Sequence, residues 1–191
     1  MSPPTPPLAR QLRDATRDAH RALDRHPALQ CLLAPTLTRE AYGASLLALY
    51  PAHAELENRI LREIARLGLR LRVPRRLPRL IDDLGSLGLT PRTLASQAAT
   101  SSASPAILAG ELYVLEGSRL GGQMIGGRLR RTLGSGAPHT FFCLEMAPEE
   151  WPRRLLELEA LCPPGERGAA VAGARAAFDR FREQLDRRFP G

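Results

Sequence analysis

The run Leu112–Leu129, LYVLEGSRLGGQMIGGRL, limits this chain more than any other stretch. It has no proline and its apolar residues recur at helical spacing, which predicts a helix. Yet it carries five glycines, Gly117, Gly121, Gly122, Gly126 and Gly127. Each costs about 1 kcal/mol against alanine in a helix interior, roughly 4–5 kcal/mol together. A helix that tolerates this needs something closer to its backbone than a side chain would allow. At about 100° per residue, Tyr113, Gly117, Gly121 and Met124 share one face, a shallow trough with an aromatic at one end and a thioether at the other. Two occupants suit such a trough: a second helix packed into it, or a flat ligand lying across it.

The rest of the chain is also helical in pattern. Leu8, Leu12, Ala15, Ala19 and Leu23 form an apolar stripe over residues 8–24. His26 precedes Pro27 and reads as a loop residue, and 28–37 as a short apolar connection. A long helix is expected from Thr38, its N-cap, to about Leu67, with Pro51 inside it and His53 beside the proline as an incidental surface or core histidine. Residues 68–100 are loop-rich around one short helix at 79–85. The stretch 92–103 is rich in Ala, Ser and Thr. Ser104-Pro105 supplies an N-cap and a first-turn proline for the glycine-rich helix, which should end near Leu133. Phe141 and Phe142 are expected in the core beneath the 134–138 loop, and two more helices at 148–161 and 165–189. No strand alternation, repeat or domain boundary interrupts the pattern. The expected fold is all-α, one domain over 8–191 behind a disordered proline-rich lead at 1–7.

The 191 residues suffice for one sizeable core. All 27 basic residues are arginine, with a net charge of +7; codon bias explains the absence of lysine, and a basic surface favours acidic partners. Cys31, Cys143 and Cys162 have no paired spacing, which favours a reducing, cytoplasmic setting over a disulfide framework. Neither a signal peptide nor a membrane span is indicated. The chain lacks a dinucleotide fingerprint, a P-loop and zinc spacing. Its few aromatics are not interleaved with arginines as nucleic-acid binding would need.

One polar stripe carries possible chemistry. Arg13, Arg17, His20 and Asp24 fall within about 60° on the first helix, roughly 130° from the apolar stripe. Asp24, one turn after His20, can accept a hydrogen bond from its Nδ1, leaving Nε2 free for a metal. A solvated surface histidine is the competing reading.

Two stretches together resemble a known family. Leu12-Arg-Asp-Ala-Thr-Arg-Asp-Ala-His20 resembles the proximal-helix signature of haem oxygenases, in which the final histidine is the axial ligand of haem iron. Leu112 to Gln123 is similar to their distal helix, whose glycines let backbone lie over the haem. The Leu-Tyr-Val-Leu-Glu-Gly-Ser wording is closest to the bacterial branch associated with bacteriophytochromes. The resemblance implies a helical bundle with haem sandwiched between a proximal helix and a kinked, glycine-rich distal helix.

On that resemblance His20 would bind iron and Asp24 would orient it. Arg13 and Arg17, with Arg175 or Arg182 of the last helix, would meet the haem propionates. Gly117 and Gly121 would border the distal face, and Tyr113 the distal water network. Ser118 stands where the mammalian-type pattern has an aspartate that organises distal water; a hydroxyl can hold a water but organises it less well, so either the relay would run through other groups, such as Tyr113, Arg119 or backbone, or turnover would be compromised. The implied reaction is O2- and electron-dependent cleavage of haem to biliverdin, CO and Fe(II). Electrons would come from a ferredoxin or reductase, and a bacteriophytochrome could receive the biliverdin. The alternatives are a haem-binding or trafficking protein of the same fold without turnover, and a basic helical scaffold.

Overall fold

The computed structural model describes residues 7–92, 103–134 and 136–189. The expected disordered lead falls almost wholly outside them, as does most of the Ala/Ser/Thr-rich stretch. Among the described residues all regular structure is helical: α1 (Leu8–Asp24), α2 (Pro27–Leu33), α3 (Arg39–Arg66), α4 (Leu77–Ser86), α5 (Pro105–Leu133), α6 (Glu150–Leu161) and α7 (Arg167–Arg188), with a single 3-10 turn at Pro164–Glu166 before α7. None of these helices is long and apolar enough to cross a membrane.

The caps explain most boundaries. Thr38 Oγ1 accepts the Ala41 N–H at the start of α3, and Ser104 Oγ accepts the Ile107 N–H at the start of α5, with Pro105 in the first turn. The start of α1 has no local cap, because Pro7 precedes it. Glu159 of α6 serves instead: its Oε2 accepts the Leu8 N–H at 2.8 Å, a carboxylate at the positive end of a helix. Pro51 lies within α3 without ending it.

One segment departs from the sequence reading. Residues 27–33 are not a plain connection but a helix, α2, and His26 is not a free loop residue but its N-cap. His26 Nδ1 accepts the Ala28 N–H at 3.2 Å, and Nε2 lies 3.2 Å from Asp186 Oδ1 near the end of α7. Pro27 both stops α1 and opens α2, since proline is disfavoured inside a helix yet preorganised for its first turn.

The core is built by α3, α5 and α7, with α1, α2, α4 and α6 packed around them. Tyr42, Leu46, Leu56 and Ile60 of α3, Leu108 and Leu112 of α5, and Ala174 and Leu185 of α7 are fully buried. Helices α5 and α7 touch backbone to backbone. A Cβ on Gly110 would lie 1.9 Å from the Ala170 carbonyl oxygen, and one on Gly173 would lie 2.4 Å from that of Ile107. Helix α7 also runs alongside α1 in the same direction, with Arg175 near Ala15, Phe178 near His20 and Asp186 near His26. It is therefore the common support of the two helices that carry the candidate site.

Candidate active site

Four of the five distal glycines divide between the two occupants that the sequence leaves open, while Gly127 meets only Arg131 of its own helix. On one face, a Cβ at Gly122 would sit 3.6 Å from the Phe142 ring, and one at Gly126 would be 2.8 Å from Cys143 Sγ and 3.0 Å from the Phe142 carbonyl oxygen. That face is close packing, against the 141–143 segment rather than a second helix. The other face is open. Nothing lies within 4 Å of a Cβ placed on Gly121, and Gly117 meets only the Trp151 ring, at 3.4 Å. Met124 and Leu120 project from α5 into solvent, 68% and 42% exposed. Tyr113 is half-buried, its ring 5.7 Å from that of Trp151, and burial raises its hydroxyl pKa against the opposing charge and hydrogen bond of Arg13. Arg13 thus links α1 to the start of the open face.

His20 is exposed on α1, as its place off the apolar stripe requires. Its Nδ1 lies 2.9 Å from Asp24 Oδ2, and its ring meets Phe178 of α7 edge-on at 5.9 Å. An Nδ1–H donated to a carboxylate orients the ring and keeps Nε2 as the nitrogen available to a ligand. Among the described residues no cluster of three or more His, Cys, Asp or Glu is placed to hold a metal. A single exposed imidazole, together with a helix face on which nothing meets Gly121, fits a cofactor that carries its own metal rather than a metal held by protein ligands alone.

The arginines differ in placement. Arg17 is turned to Asp14, 2.5 Å away. Arg175 Nε donates to the Ala15 carbonyl at 3.2 Å, which brings its guanidinium onto α1 between Arg13 and Arg17 in sequence. Arg182 pairs with Asp179 of its own helix at 3.3 Å. Arg119 is buried against Glu116 at 3.1 Å, and its Nη2 reaches the Glu145 carbonyl. It lies about 200° around α5 from Gly117 and is spent on structure.

Ser118 has a partner that no spacing rule indicates. Arg76, 3% exposed, donates from Nη2 to Ser118 Oγ at 2.5 Å and to the Leu115 carbonyl at 3.1 Å. Ser118 Oγ itself donates to the Leu115 carbonyl at 2.7 Å. With its hydrogen spent and one lone pair filled, the hydroxyl retains one acceptor site.

Behind Arg76 lies a buried chain of polar groups. Glu57 Oε2 accepts the Arg76 N–H at 2.8 Å and both its oxygens take the Leu77 N–H, so a carboxylate of α3 caps α4. His53 Nε2 lies 3.0 Å from the same Oε2, and its ring stands edge-on to Phe141 at 4.9 Å. Burial drives the His53 pKa down to about 4 despite the Glu57 hydrogen bond, so the ring is neutral at pH 7 and donates from Nε2. Burial raises the Glu57 carboxyl, but hydrogen bonds from His53, Arg76 and Leu77 outweigh it and lower the pKa overall. Burial brings Arg76 down to about 10, still charged at neutral pH. The His53-x3-Glu57 spacing was the one available signal for this chain; Arg76 is one of several arginines in its segment.

The family model described as Heme oxygenase matches residues 6–187, and the chain belongs to that family. A heme oxygenase of Xanthomonas campestris pv. campestris (strain 8004) is 38% identical over 111 residues, 56% of this chain and 65% of that protein's length. The match thus spans just under two thirds of that relative. The fold is similar to the NO- and CO-bound heme oxygenase of Neisseria meningitidis, with a TM-score of 0.75 at 21% identity, covering 97% of this chain and 93% of that one. It is also similar to the Leptospira interrogans heme oxygenase, with a TM-score of 0.73 at 21% identity over 95% and 100% of the two chains. Heme oxygenase-1 of the cyanobacterium Synechocystis, solved in complex with heme, gives a TM-score of 0.67 at 16% identity over 95% and 92%.

Proposed function

We propose that this chain is a catalytically active haem oxygenase, binding haem between His20 of α1 and the Gly117–Gly121 face of α5. The observation that carries the reading is the pairing of an exposed histidine, already oriented through Nδ1, with a helix face where nothing meets Gly121. His20 Nε2 would ligate the iron. Bound haem supplies both the iron centre for O2 chemistry and the macrocycle that is opened, to biliverdin, CO and Fe(II).

The remaining work belongs to the chain. Asp24 orients the His20 ring. Gly117 and Gly121 let the α5 backbone approach the macrocycle, so that helix rather than side chains sets which edge is exposed to attack. Arg13 and Arg175 converge on α1 and are the better-placed cations for propionates; Arg17 and Arg182 are engaged with Asp14 and Asp179. Ser118, held by Arg76, accepts one hydrogen bond from a distal water and so orients the water's second hydrogen. Tyr113 flanks the same face. O2 and an external ferredoxin or reductase complete the reaction, and a bacteriophytochrome is the proposed recipient of biliverdin.

The test is aerobic turnover. Haemin-loaded protein, given a ferredoxin reducing system with catalase present, should lose its Soret band while a broad red biliverdin band grows. A stable haem complex that never forms bilin would support the non-catalytic haem-binding reading instead.

A further inference from the structure

A cavity lies on the far side of α5 from the glycine face, between α5, α6 and the segment that follows α3. Its volume is about 380 Å3, within the range of small-ligand sites. Its wall is charged. Arg119 and Arg154 form a buried floor, and Glu116, Glu150 and Glu157 are their partners, at 3.1 Å for Arg119–Glu116, 3.2 Å for Arg119–Glu150 and 2.5 Å for Arg154–Glu157. Arg154 also donates to the Arg72 carbonyl, which ties the rim to the floor.

Three further guanidiniums line the same cavity, those of Arg70, Arg72 and Arg153. All three are exposed, and among the described residues none has a carboxylate partner. The floor arginines are already engaged, Arg119 with Glu116, Glu150 and the Glu145 carbonyl and Arg154 with Glu157 and the Arg72 carbonyl. All three carboxylates are therefore committed to the floor, and Arg70, Arg72 and Arg153 are left around one concave space, where like charges repel. A multivalent oxyanion relieves that repulsion, because each of these three guanidiniums offers a planar fork to a carboxylate or phosphate.

We infer that this cavity binds a small multivalent oxyanion, a metabolite carrying at least two phosphate or carboxylate groups. The concavity favours a small molecule over an extended polyanion. The site uses neither His20 nor the glycine face, so it stands whatever the outcome of the haem assay.

Calorimetric titration of the full-length apo protein with inorganic pyrophosphate and, separately, with citrate tests it, in phosphate-free buffer at matched ionic strength. One of the two should bind with one-to-one stoichiometry and raise the Tm by about 5–10 °C at a hundredfold excess over Kd. Pyrophosphate alone would name a phosphate ligand and citrate alone a polycarboxylate. The variant R72A/R153A changes only exposed side chains and should weaken binding at least tenfold, whereas R187A/R188A, at the end of α7, should not. Absence of binding with either probe at about 1 mM would overturn the inference. So would equal binding by R72A/R153A and the unaltered protein, which would mark the interaction as general attraction to a basic surface.

Discussion

Replacing Gly121 and Gly126 by alanine, one at a time, should move stability in opposite directions. Alanine is favoured over glycine in a helix interior by about 0.8–1 kcal/mol. At Gly121 nothing lies within 4 Å of the added methyl, so the apo protein should gain that amount, about 2–4 °C in Tm for a chain of this length. At Gly126 the methyl would meet Cys143 Sγ at 2.8 Å and the Phe142 carbonyl oxygen at 3.0 Å, and the second of these is backbone. Overpacking costs about 1–3 kcal/mol, so the net effect at Gly126 should be a loss of up to about 2 kcal/mol. Haem binding should follow the reverse order. A methyl on the open face intrudes where the macrocycle would lie, and the same overpacking range converts to roughly 5- to 150-fold weaker haem affinity for Gly121→Ala. Thermal unfolding of the two apo variants and haemin titration of Gly121→Ala measure both quantities. A destabilised Gly121→Ala apo protein that binds haem as tightly as the parent would refute the division of the glycines into a packed face and a ligand face.

Three more expectations rest on buried polar groups. His53 is neutral in the folded state to about pH 4 but titrates near 6.5 when unfolded, so below pH 6.5 the unfolded chain binds a proton that the native state refuses. Urea unfolding should therefore show about 2 kcal/mol of stability lost between pH 7 and pH 5 from this residue, with His53→Gln flattening the slope; the lowered Glu57 carboxyl adds a further loss as pH falls through its folded value. Arg76→Met removes the side-chain hydrogen bonds to Ser118 Oγ and the Leu115 carbonyl but leaves Glu57 on backbone N–H groups and Glu116 on Arg119 and Arg154, so it should cost about 1–3 kcal/mol, while freeing the Ser118 hydroxyl, which stopped-flow turnover would register as slower bilin formation. Asp83, 2% exposed, accepts the Thr140 N–H, the Thr140 hydroxyl and the Phe141 N–H, so Asp83→Asn should cost about 2–3 kcal/mol in chemical denaturation by loosening the segment that supports Gly122 and Gly126.

The parts of this molecule that could be read from sequence are those specified within a turn or two of chain. Thr38 and Ser104-Pro105 mark the starts of α3 and α5 because capping is local. His20 and Asp24 are one helical turn apart, so their pairing follows from 3.6 residues per turn alone. Helix α2 was hidden because Pro27 serves two helices at once. Which glycine face is packed and which open was not legible, since Phe142 and Cys143 arrive from beyond the end of α5. For the same reason Ser118 could be singled out but not its partner: Arg76 reaches it across 42 residues and has nothing in its local sequence to separate it from Arg75 or Arg79. The choice between Arg175 and Arg182 likewise depends on where α7 lies against α1.

The most direct test of the account is ligand replacement at His20. The side chain is exposed, so His20→Ala should unfold within about 0.5 kcal/mol of the parent. The variant should still take up haem, since the propionate partners and glycine face remain, but bilin formation should cease, and millimolar imidazole should restore it by occupying the vacated position. Turnover by His20→Ala at the parent rate without imidazole would contradict the assignment of His20 as the iron ligand, and with it the placement of haem between α1 and α5.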